Sequence, residues 1–393
     1  MGITNGNKAQ GQIAVSDSSR YLSNSFYQHF SKYDWEKIRE RIYNCTIHDV
    51  RRAMQHAGRG SEQDFMALVS PAAEACLEPM CQLSSQLTRR RFGNIIQMYL
   101  PLYLSNECSN ICTYCGFSYT NPMPRITLTE QEVLREAEVI RQMGYNHVLL
   151  VSGEENRRVN TSYFERMIRL LRPLFSELML EVQPLSEAEY RRLKMCGVST
   201  VLVYQETYHE QNYPIYHPRG RKKDFRYRLE TPDRIGRSGM HRIGLGVLLG
   251  LEDWRVDSFF MAVHLRYLQR HYWQSRYSIS FPRLRPAAGC QQFGNPVTDR
   301  ELVQLICAWR LFDQHVELAL STRESPQFRN HAVRLGITAI SAGSRTNPGG
   351  YATHPKALEQ FEIHDDRSPQ QVAEMLKDAG LEPVWKDWDK SFH

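Results

Sequence analysis

The chain has 393 residues, 41% of them hydrophobic, which is ample for a buried core and allows one large domain or two average ones. Lys and Arg number 49 and Asp and Glu 43, a formal charge of +6 spread over a large surface, with no block of five or six like charges to mark a nucleic-acid binder. No apolar run of 18 residues occurs and the N-terminus lacks an apolar core, so neither a transmembrane helix nor a secretory signal is expected, and a cytoplasmic protein is.

Residues 1–25 are polar and read as a disordered tail; Gly6 stands where a myristoylation signal needs Ser or Thr. Residues 26–95 read as an N-terminal helical extension. Asp34 opens a stretch with acidic residues first and apolar residues at helical spacing, and Ser70-Pro71 starts another helix. From 96 to 345 short apolar runs recur at 97–104, 147–152, 178–182, 200–205, 243–249, 277–281, 316–320 and 337–342. Helical stretches separate them at 130–143, 161–174, 187–196, 256–271 and 299–313. Alternating β and α elements imply a parallel sheet, and eight repeats imply a TIM-type (β/α)8 barrel or an open relative of it. The fold class is therefore α/β. Residues 208–237 are longer and more polar than the other connections and read as an elaborated loop. Residues 346–393 form a C-terminal α extension expected to close the barrel.

In such a barrel the reactive residues gather at the C-terminal ends of the strands. Those ends read SNECSNICTYCGF, SGEE, EVQP, YQETYH, GLED, PRLRP, STRES and SAGSRT, all polar or glycine-containing, as one shared mouth requires.

The first of these holds Cys108, Cys112 and Cys115 in a C-x3-C-x2-C spacing. Thiolates suit soft metals and iron–sulfur clusters. Three close cysteines serve three irons of a cubane and leave a fourth iron open. The competing reading is structural zinc, which wants four closed ligands; no partner motif for a fourth is evident. The other six of the nine cysteines are scattered, mostly in helical patterns, and read as small buried apolar residues.

This cysteine spacing, directly after the first strand of such a barrel, resembles the radical S-adenosylmethionine (radical SAM) superfamily. The resemblance implies a 4Fe–4S cluster with three cysteine ligands, and SAM bound at the open iron. Tyr114 matches the aromatic position near the adenine; its alternative role is loop packing. Ser152, Gly153 and Glu154 stand where the superfamily has Gly-Gly-Glu, whose backbone carbonyls accept the SAM amine; Ser152 departs from that pattern. Gly246 and Leu248 lie in a run similar to the adenine-contact strand, with strand packing as the rival role. Gln205 and Thr207 alternate along the fourth strand end and are candidates for the ribose.

Longer strings narrow the resemblance. PLYLSNECSNICTYCGFS, VYQETYHE, FRYRLETPDRIGRSG, HYWQSRYSISFPRLRP, LSTRESPQFR and PGGYATHPKALEQFEIHDDRSP are similar to the 2-iminoacetate synthase family, the tyrosine lyases of thiamine-thiazole biosynthesis. The family likeness implies cleavage of the Cα–Cβ bond of L-tyrosine, thiazole synthase as protein partner, and a flavodoxin- or ferredoxin-type reductant. A substrate amino acid needs its carboxylate fixed. Arg323 in STRES is the first candidate, because a guanidinium fork matches a carboxylate; a rim salt bridge to Glu324 is its alternative. Arg283 and Arg285 compete with it, and Glu181, Tyr204 and Glu206 are candidates for the phenol, the amine or a proton relay. His209 is a weaker candidate whose structural role is favoured. The hydrogenase-maturation tyrosine lyases carry three further cysteines near the C-terminus, whereas the last cysteine here is Cys307. A tryptophan lyase and a non-enzymatic electron carrier are the remaining rivals.

Overall fold

The computed structural model describes residues 25–287, 289–290, 294–352 and 359–385. The expected disordered tail therefore lies, Ser25 apart, outside the described residues.

Ten strands follow the chain: β1 Ile95–Tyr99, β2 Pro101–Ser105, β3 His147–Ser152, β4 Glu177–Glu181, β5 Val198–Leu202, β6 Arg242–Gly246, β7 Arg276–Ser280, β8 Glu317–Leu320, β9 Ala339–Ser341 and β10 Glu382–Val384. Every pairing is parallel, in the order β10-β1-β9-β8-β7-β6-β5-β4-β3-β2. The strands read as continuous apolar runs because both faces of a parallel sheet are covered.

All eight expected runs are strands, but the first is split at Leu100. Its first half pairs Gln97–Tyr99 with Ala339–Ser341 of β9, and its second half pairs Pro101–Tyr103 with Leu149–Val151 of β3. The Leu149 amide donates to the Leu100 carbonyl across the break (3.0 Å). One chain segment thus serves both ends of the sheet, which curls round a central space. Every strand from β1 to β9 contributes residues to the lining of that space, alternate ones on most strands, as a barrel of this kind requires. The three-residue β10, which adds to the outer edge of β1, has too short a run to be seen in the sequence.

The expected helices form between the strands, and their starts follow from capping. Thr129 with Glu132, Ser186 with Glu189 and Thr298 with Glu301 close reciprocal capping boxes. The N-terminal helices Phe26–Phe30, Trp35–Tyr43, Ile47–Gln55, Glu62–Val69 and Leu77–Phe92 share one apolar core with the barrel helices. Gln304 and Arg255, both buried, fasten them by donating to the carbonyls of Leu68, Val69 and Ser70. Pro71–Cys76 is a 3-10 turn, so the helix expected at Ser70-Pro71 becomes regular only at Leu77. The long connection after β5 folds into short helices Tyr213–Tyr216, Phe225–Leu229 and Thr231–Arg237. Among the described residues no helix is long and apolar enough to cross a membrane.

Candidate active site

The loop leaving β2 carries the three cysteines, and its backbone is tied from three directions. Ser109 N–H donates to the Glu154 carbonyl (3.0 Å), Ile111 N–H to the Arg219 carbonyl (3.0 Å) and Thr113 N–H to the Tyr216 carbonyl (3.1 Å). Arg125 donates to the carbonyls of Asn106, Phe117 and Ser118 at 2.7–2.9 Å. Cys108, Cys112 and Cys115 are free thiols. Burial pushes all three up, Cys108 to about 11, and the charges of neighbouring sulfurs add to the rise at Cys108 and Cys112. Among the described residues no three His, Cys, Asp or Glu side chains are grouped round a single ion. Structural zinc needs four closed ligands in one coordination sphere. A cluster distributes its thiolates over different irons.

The surroundings fit a bound cofactor. A Cβ on Gly153 would lie 2.3 Å from the Glu107 carbonyl oxygen and 3.3 Å from Cys108 Cβ, so only glycine lets the end of β3 approach the cysteine loop so closely. Ser152 Oγ and both amide atoms of Gln205 are buried without a partner among the described residues. Buried polar groups are ordinarily satisfied, so these are places where a polar ligand belongs. The carbonyl and side chain of Glu154 are, by contrast, already engaged: the carbonyl accepts from Ser109, and the carboxylate accepts from Asn110 (2.7 Å) and Arg228 (2.7 Å). Burial alone would raise the Glu154 carboxyl, but Arg228 and Lys222 outweigh it and hold it low.

Tyr114 is buried, and its hydroxyl lies 2.7 Å from His217 Nε2. His217 Nδ1 faces the Tyr213 carbonyl at 3.0 Å, which fixes the tautomer: Nδ1–H donates there and Nε2 accepts from Tyr114. Burial drives the imidazole well below its usual range, keeping it neutral. Lys222 Nζ, 5.6 Å above the Tyr114 ring, pairs with Glu206 at 2.7 Å, and Arg228 approaches Glu206 at 3.6 Å. Glu206 has φ of 73°, a left-handed backbone with its energetic strain, and it stands at the cavity wall.

Inside the barrel lies a cavity of about 200 Å³. Cys115, Tyr114, Leu248, Tyr204, Glu181 and Arg323 all line it. Arg323 has no ion pair among the described residues. Its guanidinium stacks on Phe361, 3.4 Å from the ring centroid, and Nη1 donates to the Arg283 carbonyl (3.3 Å). Glu181 accepts no hydrogen bond among the described residues; burial first, and then the Glu206 charge, push its carboxyl up to about 7, against the opposing pull of Arg323. Tyr204 donates to Ser280 Oγ (3.0 Å).

Other sequence candidates are placed elsewhere. Glu324 is claimed by Arg283, which also binds Asp299 (2.7 Å) and the Val297 carbonyl, so the salt bridge considered for Arg323 does not form. Arg285 donates to the Arg323 carbonyl (2.5 Å) and sits 2.7 Å from His364 Nδ1. Neither Arg283 nor Arg285 lines the cavity; both are spent on the rim. Thr207 turns away to Asp257 (3.0 Å). Gly246 serves packing, because a Cβ there would meet the Tyr204 ring at 2.6 Å. His209 packs edge-on against Trp35. The sequence reading missed Lys222, Arg228 and His217, which reach the site from the long connection, and Gln360 and Phe361 from the C-terminal segment. The density of basic residues at 219–228 was the available signal for the first two; nothing in the sequence marks Gln360.

Residues 102–261 match the radical SAM superfamily, and residues 280–382 match the Biotin and Thiamin Synthesis associated domain. The chain is 53% identical over 366 residues to the 2-iminoacetate synthase of Escherichia coli, covering 93% of this chain and 97% of that one. It is 52% identical over the same span to the 2-iminoacetate synthase of Salmonella typhimurium, with the same coverage. Among solved structures, the FeFe-hydrogenase maturase HydG from Carboxydothermus hydrogenoformans superposes with a TM-score of 0.85 at 28% identity, covering 92% of this chain and 86% of that one.

Proposed function

The chain belongs to the 2-iminoacetate synthase family, and from that membership we propose that it is a radical SAM carbon–carbon lyase acting on L-tyrosine. It cleaves the Cα–Cβ bond to 2-iminoacetate and 4-cresol, with 5′-deoxyadenosine and methionine formed from SAM, and so supplies the thiazole ring of thiamine. When bound, a 4Fe–4S cluster and SAM furnish the radical that starts the reaction; the protein supplies position, charge and exclusion of water.

In this reading Cys108, Cys112 and Cys115 hold the cluster and leave one iron for SAM. Gln205, Ser152 and the Gly153 cradle receive SAM, with Tyr114 and Leu248 beside it. Arg323 takes the tyrosine carboxylate: among the described residues it is the cavity cation without an ion pair, and a guanidinium binds a carboxylate through two parallel N–H donors. Hydrogen abstraction from the substrate nitrogen needs a neutral amine. Glu181, unbonded in the same cavity and with its carboxyl near 7, takes the ammonium proton. Tyr204 and its neighbours Tyr99 and Tyr103 form the wall against the substrate ring.

The observation that carries the site assignment is that Arg323 and Glu181 line the same cavity as Cys115. Thiazole synthase is the proposed partner, because an α-imino acid hydrolyses in water and profits from immediate transfer; a flavodoxin- or ferredoxin-type protein is the proposed reductant. Anaerobic incubation of reduced enzyme with SAM and tyrosine tests the reaction. Appearance of 4-cresol and glyoxylate in step with 5′-deoxyadenosine supports it, and 5′-deoxyadenosine without 4-cresol would sink it.

A further inference from the structure

Two consecutive residues of the C-terminal segment touch the two halves of the site. Gln360 Nε2 donates to Cys115 Sγ at 3.6 Å, and its Oε1 accepts from the Tyr103 hydroxyl at 2.8 Å. The amide is therefore held at both ends and its orientation is set. Its backbone is docked as firmly: the Gly116 amide donates to the Gln360 carbonyl (3.0 Å), and Gln360 N–H donates to the Thr346 carbonyl (2.9 Å). A Cβ on Gly116 would lie 2.5 Å from the Gln360 carbonyl oxygen, so glycine next to Cys115 is what admits the segment. Phe361 then lies under the Arg323 guanidinium. Three residues on, His364 and Asp365 donate their amides to the Thr322 carbonyl (2.9 and 3.1 Å), fixing the strap to the residue before Arg323.

We propose that Gln360 and Phe361 form a strap that couples occupancy of Arg323 to the Cys115 sulfur, with Gln360 as a positioning residue for that ligand. The inference rests on the cysteine and Arg323 assignments above. An N–H donor aimed at a cluster sulfur stabilises the more negative, reduced state, because hydrogen bonds to the sulfurs are among the determinants of cluster potential. A carboxylate arriving at Arg323 neutralises the cation that Phe361 faces and weakens their attraction. Any resettling of the Phe361 ring bears on Gln360 through the shared backbone, and so on the contact between Gln360 Nε2 and Cys115 Sγ. Tyrosine binding is thereby registered at the cluster before any bond is broken.

The test uses the reconstituted full-length enzyme without SAM, so that no turnover occurs. Iron content, midpoint potential and the electron paramagnetic resonance spectrum of the reduced cluster are read with and without tyrosine. Gln360→Leu removes both amide groups, Gln360→Glu keeps the acceptor for Tyr103 but not the N–H donors, and Phe361→Leu leaves Gln360 in place. Both Gln360 variants are expected to keep wild-type iron content and to show a lower potential than wild type. Tyrosine is expected to shift the spectrum of wild type and not that of Phe361→Leu. Unchanged potentials in both Gln360 variants overturn the proposal, as does a full tyrosine shift in Phe361→Leu. If Gln360→Leu fails to fold, Gln360→Glu decides the potential. A wild-type enzyme that makes no 4-cresol counts against the lyase reading alone, because the Gln360 variants are compared with wild type by the potentials read without tyrosine.

Discussion

Arg323 and Glu324 are neighbours in sequence with opposite fates: Glu324 is consumed by the rim cation Arg283, while Arg323 turns inward, pairs with no carboxylate among the described residues and rests on Phe361. The pairing of one frees the other. A cation kept unpaired inside a cavity is poised for a ligand that brings its own charge.

Arg323→Ala is therefore expected to weaken tyrosine binding by roughly 2–5 kcal/mol, the usual loss when one partner of a buried charge pair is removed. Iron content stays at the wild-type level, because Arg323 bonds none of the three cysteines. Tyrosine affinity from equilibrium binding is the readout, and an unchanged affinity would move the carboxylate site elsewhere.

Glu181 titrates near pH 7 in the fold against about 4.3 in an unfolded chain. As a base it must be ionised, so turnover should fall as pH drops through 7, and Glu181→Gln should lose that limb of the profile along with most activity. The stability effect has the opposite sign. A raised carboxyl stabilises the fold fully only below the unfolded value, and that contribution is lost as pH rises through 7. Glu181→Gln should thus melt above wild type at pH 8, with the gap closing towards pH 4.

Replacing Cys108, Cys112 or Cys115 by Ala should abolish iron binding and 5′-deoxyadenosine formation together. Elemental analysis after reconstitution checks this, and a variant with full iron and full activity would remove that residue from the ligand set.

Gly153→Ala places a methyl 2.3 Å from a backbone carbonyl oxygen, which no side-chain rotation can relieve. The expected result is a loss of about 1–3 kcal/mol of stability, the usual penalty for overpacking, and a larger loss of iron retention than a Ser152→Ala control. Thermal melts and iron titration read the two effects separately.

The barrel was legible in the sequence because each strand is a short apolar run buried on both faces, bounded by amphipathic helices with capping boxes. The split of the first run at Leu100 was not, because the residues on either side are equally apolar and only pairing distinguishes them. The cysteine triad was legible from spacing alone. Arg323 was the first candidate, but Arg283 and Arg285 also follow a strand and competed with it; which of them is neutralised depends on Glu324 and Asp299, whose positions come from tertiary packing. Lys222 and His217 were hidden in a segment that reads as decoration, and its folding back over the cysteine loop rests on backbone bonds such as Arg219 to Ile111.

The contact between Cys115 and Gln360 joins residues 245 positions apart. At about 5–20 residues per second, synthesis places tens of seconds between the emergence of the cysteines and that of the strap that touches Cys115. Throughout that interval the cysteine loop is exposed on the nascent chain, open to metal-delivery proteins and to oxidants alike. Completion of the C-terminal segment brings Gln360 against Cys115 and Gly116.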